Sequence, residues 1–201
     1  MEEFADGKLV RQTFFEEDKA QDIYENIEQF ADGSEKAAKV LGFDNGKISV
    51  YVENAEQLAD GSEKAAKRFR FDNDKISEYA ENVERLADDS EKMAKVLGFD
   101  NGKISGYIEN FEQLADGSEK MTKVLGFDNG KISVYVEDYK KIGSYVTTAK
   151  DLDFDNGKPS CLIIDNGWDD ASKYEKEGLG WKKTDYYDFD DDWFDDENPA
   201  G

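Results

Sequence analysis

Tyr51-Val-Glu-Asn-Ala-Glu-Gln-Leu-Ala-Asp-Gly-Ser-Glu-Lys-Ala-Ala-Lys-Arg-Phe-Arg-Phe-Asp-Asn-Asp-Lys-Ile-Ser-Glu78 is one copy of a 28-residue unit that recurs without insertion at 23–50, 79–106 and 107–134. In register, Asn26, Asn54, Asn82 and Asn110 coincide, as do Phe43, Phe71, Phe99 and Phe127. A fixed period of this length signals a stacked array, in which each unit buries its apolar face only against its neighbours.

Within the unit, Ile48, Tyr51, Val52, Ala55, Leu58 and Ala59 are spaced as one stripe of a helix. A strand would need position 50 to face the core, yet that position is Val50, Glu78, Gly106 and Val134 across the copies, a tolerance that suits solvent. The spacing therefore predicts a first helix over roughly 48–59. A second, shorter helix is expected after Asp60-Gly-Ser-Glu63, where Asp60 and Glu63 have capping-box spacing, ending at Leu41-Gly42-Phe43 in a Schellman-type cap. The expected fold is all-α: an α-solenoid of helix-turn-helix repeats joined by turns such as Asp44-Asn-Gly-Lys47. A continuous coiled coil also fits four heptads per unit, but the recurring glycines would each cost about 1 kcal/mol in a helix interior.

Outside the four clear copies the pattern wears down. Residues 1–22 read as a diverged N-terminal cap repeat and 135–183 as a diverged C-terminal cap, with Pro159 favouring extended chain before Cys161-Leu-Ile-Ile164. Residues 184–201 form an acidic aromatic tail; from Asp185 to Glu197 there are eight acidic and five aromatic residues, Tyr186, Tyr187, Phe189, Trp193 and Phe194. That density of aromatics suits a segment that docks on a partner or on the array as well as a loose solubilising tail.

Composition narrows function. The net charge of −22 repels nucleic acid and anionic lipid and favours a basic protein surface or cations. With no histidine and Cys161 as the single cysteine, imidazole catalysis, thiolate zinc and internal disulfides are excluded. Cys161 reads as a small buried apolar residue. No signal segment is visible at Met1-Glu-Glu-Phe4 and no run is long enough to span a membrane, so a cytoplasmic location is expected.

No cofactor or metal site is legible. Setting Gly46 at the sixth place of an EF-hand loop puts Leu41, Phe43 and Val52 at ligand positions, and Asp151, Asp153 and Asp155 are followed by Asn156 where the glycine belongs. Carboxylate pairs recur in every unit, whereas an active site needs one asymmetric pocket, so enzymatic function is not expected. The unit is shorter than tetratricopeptide, ankyrin or HEAT repeats and lacks their signature residues, so no function is carried over from them.

The recurrence itself suggests a binding surface. Glu25, Glu28, Glu53, Glu56, Glu81, Glu84, Glu109 and Glu112 would form a ladder of carboxylates, with Lys36, Lys39, Lys64 and Lys67 on the second element of each unit. Either the rows neutralise each other, or the glutamates and the tail aromatics present an acidic surface to a basic partner, as an inhibitor, immunity factor or nucleic-acid mimic would. The alternatives are a calcium-responsive or cell-surface repeat module and a self-assembling structural array.

Overall fold

The computed structural model describes residues 1–167 and 170–188, and among them there is no helix. In chain order the strands are β1 (Glu2–Ala5), β2 (Lys8–Glu16), β3 (Lys19–Gln29), β4 (Glu35–Asp44), β5 (Lys47–Gln57), β6 (Glu63–Asp72), β7 (Lys75–Arg85) and β8 (Glu91–Asp100). They continue as β9 (Lys103–Gln113), β10 (Glu119–Asp128), β11 (Lys131–Ile142), β12 (Tyr145–Thr147), β13 (Lys150–Asp155), β14 (Lys158–Gly167), β15 (Asp170–Glu177) and β16 (Gly180–Asp188). All pair antiparallel in one meander, with β12 off the main path beside β11. Apart from β11, which also pairs with β13, the described strands contact only their sequence neighbours, so the sheet is a single layer.

The α-solenoid expectation is therefore wrong, and both expected helices of each unit are strands. The unit is indeed a hairpin, but a β-hairpin. Two local features made a strand look helical. Asn54 sits in mid-strand at φ 52°, and Asn26, Asn82 and Asn110 match it at φ 52–55°. A left-handed residue breaks the two-residue alternation, which is why Ala80 and Val83, three apart, are buried in the same cluster. Upstream, the register slips between Gly42 and Phe43: Phe43 faces Ile48 while Gly42 faces Val50, leaving Ser49 as a bulge residue. A bulge followed by a left-handed asparagine gives a strand the spacing of a helix stripe.

The tolerance at position 50 also has a different cause. Its cross-strand partner changes with it: Val50 lies opposite Gly42, Glu78 opposite Arg70, Gly106 opposite Gly98, and Val134 opposite Gly126. A Cβ on Gly42 or Gly126 would lie 2.6 Å from the valine Cγ1 facing it. Gly42 is thus no helix cap, and Arg70, which takes its place in the second copy, sits 3.7 Å from Glu78 in an ion pair. Since valine is stiff at χ1 and cannot swing clear, Gly126→Ala is expected to cost about 1–3 kcal/mol. Adding Val134→Gly, which removes the side chain that the new methyl would meet, should recover part of that loss in a urea melt.

The turns carry the chemistry that the sequence advertises. Asn45-Gly46 takes φ 51° and 78° between the paired Asp44 and Lys47, the mirror-image turn that matches strand twist. At the other end of each hairpin, Leu58 N–H donates to the Ser62 carbonyl at 2.8 Å, and Asp60 Oδ1 accepts from Ser62 N at 2.9 Å and Ser62 Oγ at 2.6 Å. The aspartate expected to cap a helix instead closes a five-residue loop between strands.

The core is thin. Ala80, Val83, Met93 and Val96 are buried, with Ala65, Ile108 and Phe111 packed against them, and among the described residues no large side chain is fully buried. Pro159 stands in β14, in extended chain, as its residue type implies. Cys161, in the same strand, is free and half-buried, and burial pushes its thiol above the ordinary range. Among the described residues no helix is long and apolar enough to cross a membrane.

Candidate functional site

The two faces of the sheet differ in chemistry. On one, Tyr51, Phe69 and Tyr79 form a contiguous aromatic row, with ring centroids 5.7 and 4.9 Å apart. Each tyrosine there reaches the glutamate two residues on: Tyr51 Oη donates to Glu53 at 3.2 Å, Tyr79 to Glu81 at 2.8 Å, Tyr107 to Glu109 at 2.6 Å, and Tyr135 to Glu137. The cross-strand lysine completes the motif, with Lys67 to Glu53 at 3.2 Å, Lys95 to Glu81 at 3.2 Å and Lys123 to Glu109 at 3.0 Å.

A second row is likewise paired: Lys36 to Glu56 at 3.3 Å, Lys64 to Glu84 at 3.0 Å and Lys92 to Glu112 at 2.9 Å. Glu25 and Glu28 lie opposite Lys39 and Lys36 in the register. The glutamate ladder is real as an alignment, but six of its eight glutamates, from Glu53 to Glu112, are ion-paired with lysine, which is the neutralising arrangement.

This pairing makes the sheet pH-sensitive at both extremes. Lys67 first, and Tyr79 and Tyr107 first in their own units, hold Glu53, Glu81 and Glu109 below the ordinary carboxylate range. Burial first, then the Glu81 bond, pushes Tyr79 up to about 12; the Glu137 bond first, then burial, does the same for Tyr135. A lowered carboxylate contributes stability above its unfolded pKa of about 4.3 and loses it as the pH falls; a raised tyrosine contributes below about 10 and loses it as the pH rises. The melting temperature is therefore expected to fall between pH 10 and pH 12. A variant with Tyr79→Phe and Tyr135→Phe should lose part of that alkaline drop.

With the ladder paired, the charge of −2 per unit remains elsewhere. Beside the five-residue loops it resides on Asp32 and Glu35 in the first unit, on Asp60 and Glu63 in the second, on Asp88 in the third and on Asp116 in the fourth, while Glu91 and Glu119 at the same edge are bound to Arg68 and Lys141. The Ser34, Ser62 and Ser90 hydroxyls first, and their amides next, hold Asp32, Asp60 and Asp88 below the ordinary range; at Asp116 the Ser118 amide leads. These carboxylates stay ionised well into mild acid. The signal for this edge was in the sequence, as the repeated Asp-x-Ser-Glu, but it was spent on a helix cap.

The opposite face holds a trough of about 460 Å³ running from β3 to β8. Its floor is small and apolar, with Ala37, Val52, Ala55 and Ala65, and Tyr24 and Arg68 stand among its walls. Three of the four arginines, Arg68, Arg70 and Arg85, line it. All are engaged: Arg68 with Glu78 at 3.0 Å and with Glu91, and Arg85 with Asp89 at 2.7 Å. Sequence reasoning passed over this feature because it arises from differences between copies.

Of the aromatic residues at the acidic end, Tyr186 and Tyr187 belong to β16, opposite Ser172 and Ala171 of β15. Phe189, Trp193 and Phe194 lie outside the described residues. Among the described residues no group of three or more acidic or cysteine side chains is gathered as metal ligands would be. Compared with protein-family models and with curated proteins, the chain matches none.

Proposed function

We propose that this chain is a non-enzymatic binding protein that engages a basic protein surface through the acidic edge built from Asp32, Glu35, Asp60, Glu63, Asp88 and Asp116. The observation that carries this reading is that six of the eight ladder glutamates are paired with lysine, so residual negative charge collects along one row of loops. Successive units lie two strands apart, so the carboxylate pairs repeat about every 9.6 Å. That is near one Debye length at physiological salt, about 8 Å, so each unit acts as a nearly separate anionic contact.

The same spacing decides between forms of partner. At most two free charges per about 9.6 Å is no denser than roughly one per 4.8 Å, against one per about 1.7 Å for duplex DNA. The edge is too dilute in charge to imitate a duplex faithfully, and it suits a basic protein patch with lysines and arginines at ordinary surface density. An inhibitor or immunity factor remains the concrete form of such a protein.

Replacing Asp32, Asp60, Asp88 and Asp116 together by asparagine removes charge while leaving a side-chain oxygen to accept from the serine amide. Affinity for nona-arginine, measured calorimetrically at low salt, is expected to fall at least tenfold with melting temperature little changed. Unchanged affinity would remove the edge from consideration.

A further inference from the structure

The repeat is not uniform, and where it breaks a hollow opens. The position of Ala55 is Ile27, Val83 and Phe111 in the other copies, and that of Ala37 and Ala65 is Met93 and Met121. Three alanines thus fall on adjacent strands, because Ala37 pairs with Ala55 and Ala55 with Ala65. In the third unit Val83, Met93 and neighbouring Phe111 fill the equivalent space and form the buried cluster. The trough is the part of the face that large side chains leave empty.

Its walls are not apolar. Glu35 and Glu63 both line it, as does Tyr24. The Tyr24 hydroxyl is pushed up first by burial and then by the charges of Asp22, Glu35 and Glu63, although Glu63 lies three strands away. The negative groups therefore act across the hollow on a common point. The four cations that line the trough do not reverse the sign, since Lys64 is bound to Glu84, Arg68 to Glu78 and Glu91, Arg70 to Glu78 and Arg85 to Asp89, while among the described residues Glu35 and Glu63 have no cation of their own.

From this geometry we infer that the trough is the anchor pocket for an arginine or lysine side chain of the basic partner. The aliphatic stem lies over Ala37, Ala55 and Ala65, and the cationic head is shared by Glu35, Glu63 and the Tyr24 ring. A long side chain with an apolar stem and a charged tip matches a small-residue floor with an acidic rim, and a cation over a tyrosine face adds attraction. A purely apolar occupant would leave the carboxylates facing it without compensation. The inference rests on the basic-partner reading and deepens it, by adding one buried anchor to an otherwise exposed electrostatic contact.

The test uses nona-arginine and the full chain, labelled at alanine methyls. Addition of the peptide is expected to shift the signals of Ala37, Ala55 and Ala65. The double variant Ala55→Phe, Ala65→Met, which installs the side chains of the later copies without altering charge, is expected to weaken binding at least tenfold. If only the loop alanines Ala59, Ala87 and Ala115 shift and the filled variant binds as well as the parent, the trough is not an anchor while the acidic edge stands. If the parent chain does not bind the peptide at low salt, the basic-partner reading and the anchor fall together. The methyl shifts are read on the unaltered protein, so a folding defect in the double variant leaves the question decidable.

Discussion

Replacing Asn54, Asn82 and Asn110 together by valine is expected to destabilise the sheet by about 3–6 kcal/mol, the sum of about 1–2 kcal/mol for each L-residue forced into the left-handed region, and more if the β-branched side chain adds its own clash. The chain has two ways to respond. It can keep φ near 52° and carry the strain at each site. Alternatively it can relax to ordinary strand geometry, which moves every later side chain of the strand to the other face. In that case Val83 would leave the cluster with Met93, and Glu84 would take its place. Both routes lose stability. Glycine tolerates the same backbone angle, so the matching triple glycine variant should lose much less. The comparison, made in denaturant, separates the backbone requirement from loss of the asparagine side chain.

Met93→Ala is the second large effect expected. Met93 is buried at 6% exposure against Ala80, Val83 and Val96, and its sulfur lies 3.3 Å from Arg68 Nη2. Truncating a buried methionine costs about 2–5 kcal/mol, and the lower half of that range applies where the space left behind can open to solvent rather than stay void. Here it opens, because the alanine copies the floor of the adjoining trough. The variant should therefore lose about 2–3 kcal/mol in a urea melt and enlarge the hollow toward the third unit. A loss above 4 kcal/mol would mean that the sheet closes over this cluster more tightly than a single layer allows.

Much of the organisation was legible in the residues. The 28-residue period, the Asn-Gly turn and the extended chain at Pro159 can be read without coordinates. Helix was preferred to strand because two exceptions to strand alternation, the bulge at Ser49 and the left-handed Asn54, together reproduce a spacing of three and four. An Asn-Gly pair between apolar runs is a strong hairpin signal, and it was treated as a link between helices. The variation among Val50, Glu78, Gly106 and Val134 could be interpreted only with the register in hand, since each is matched to Gly42, Arg70, Gly98 or Gly126 across the strand gap. The site was half legible for the same reason. The glutamates and lysines were visible as rows, but which rows cancel depends on strand pairing, and so does the residual acidity of the loop edge. The trough could not be found by looking for what the copies share, because it exists where they differ.

The most direct test of the fold is the pattern of backbone proton contacts along residues 75–100 in solution. Cross-strand contacts linking Tyr79 with Leu97, Ala80 with Val96 and Glu81 with Lys95 are expected from the register. Contacts from each residue to the third and fourth beyond it, running from Ile76 to Ala87 in place of the cross-strand set, would contradict the sheet and with it the acidic edge and the trough.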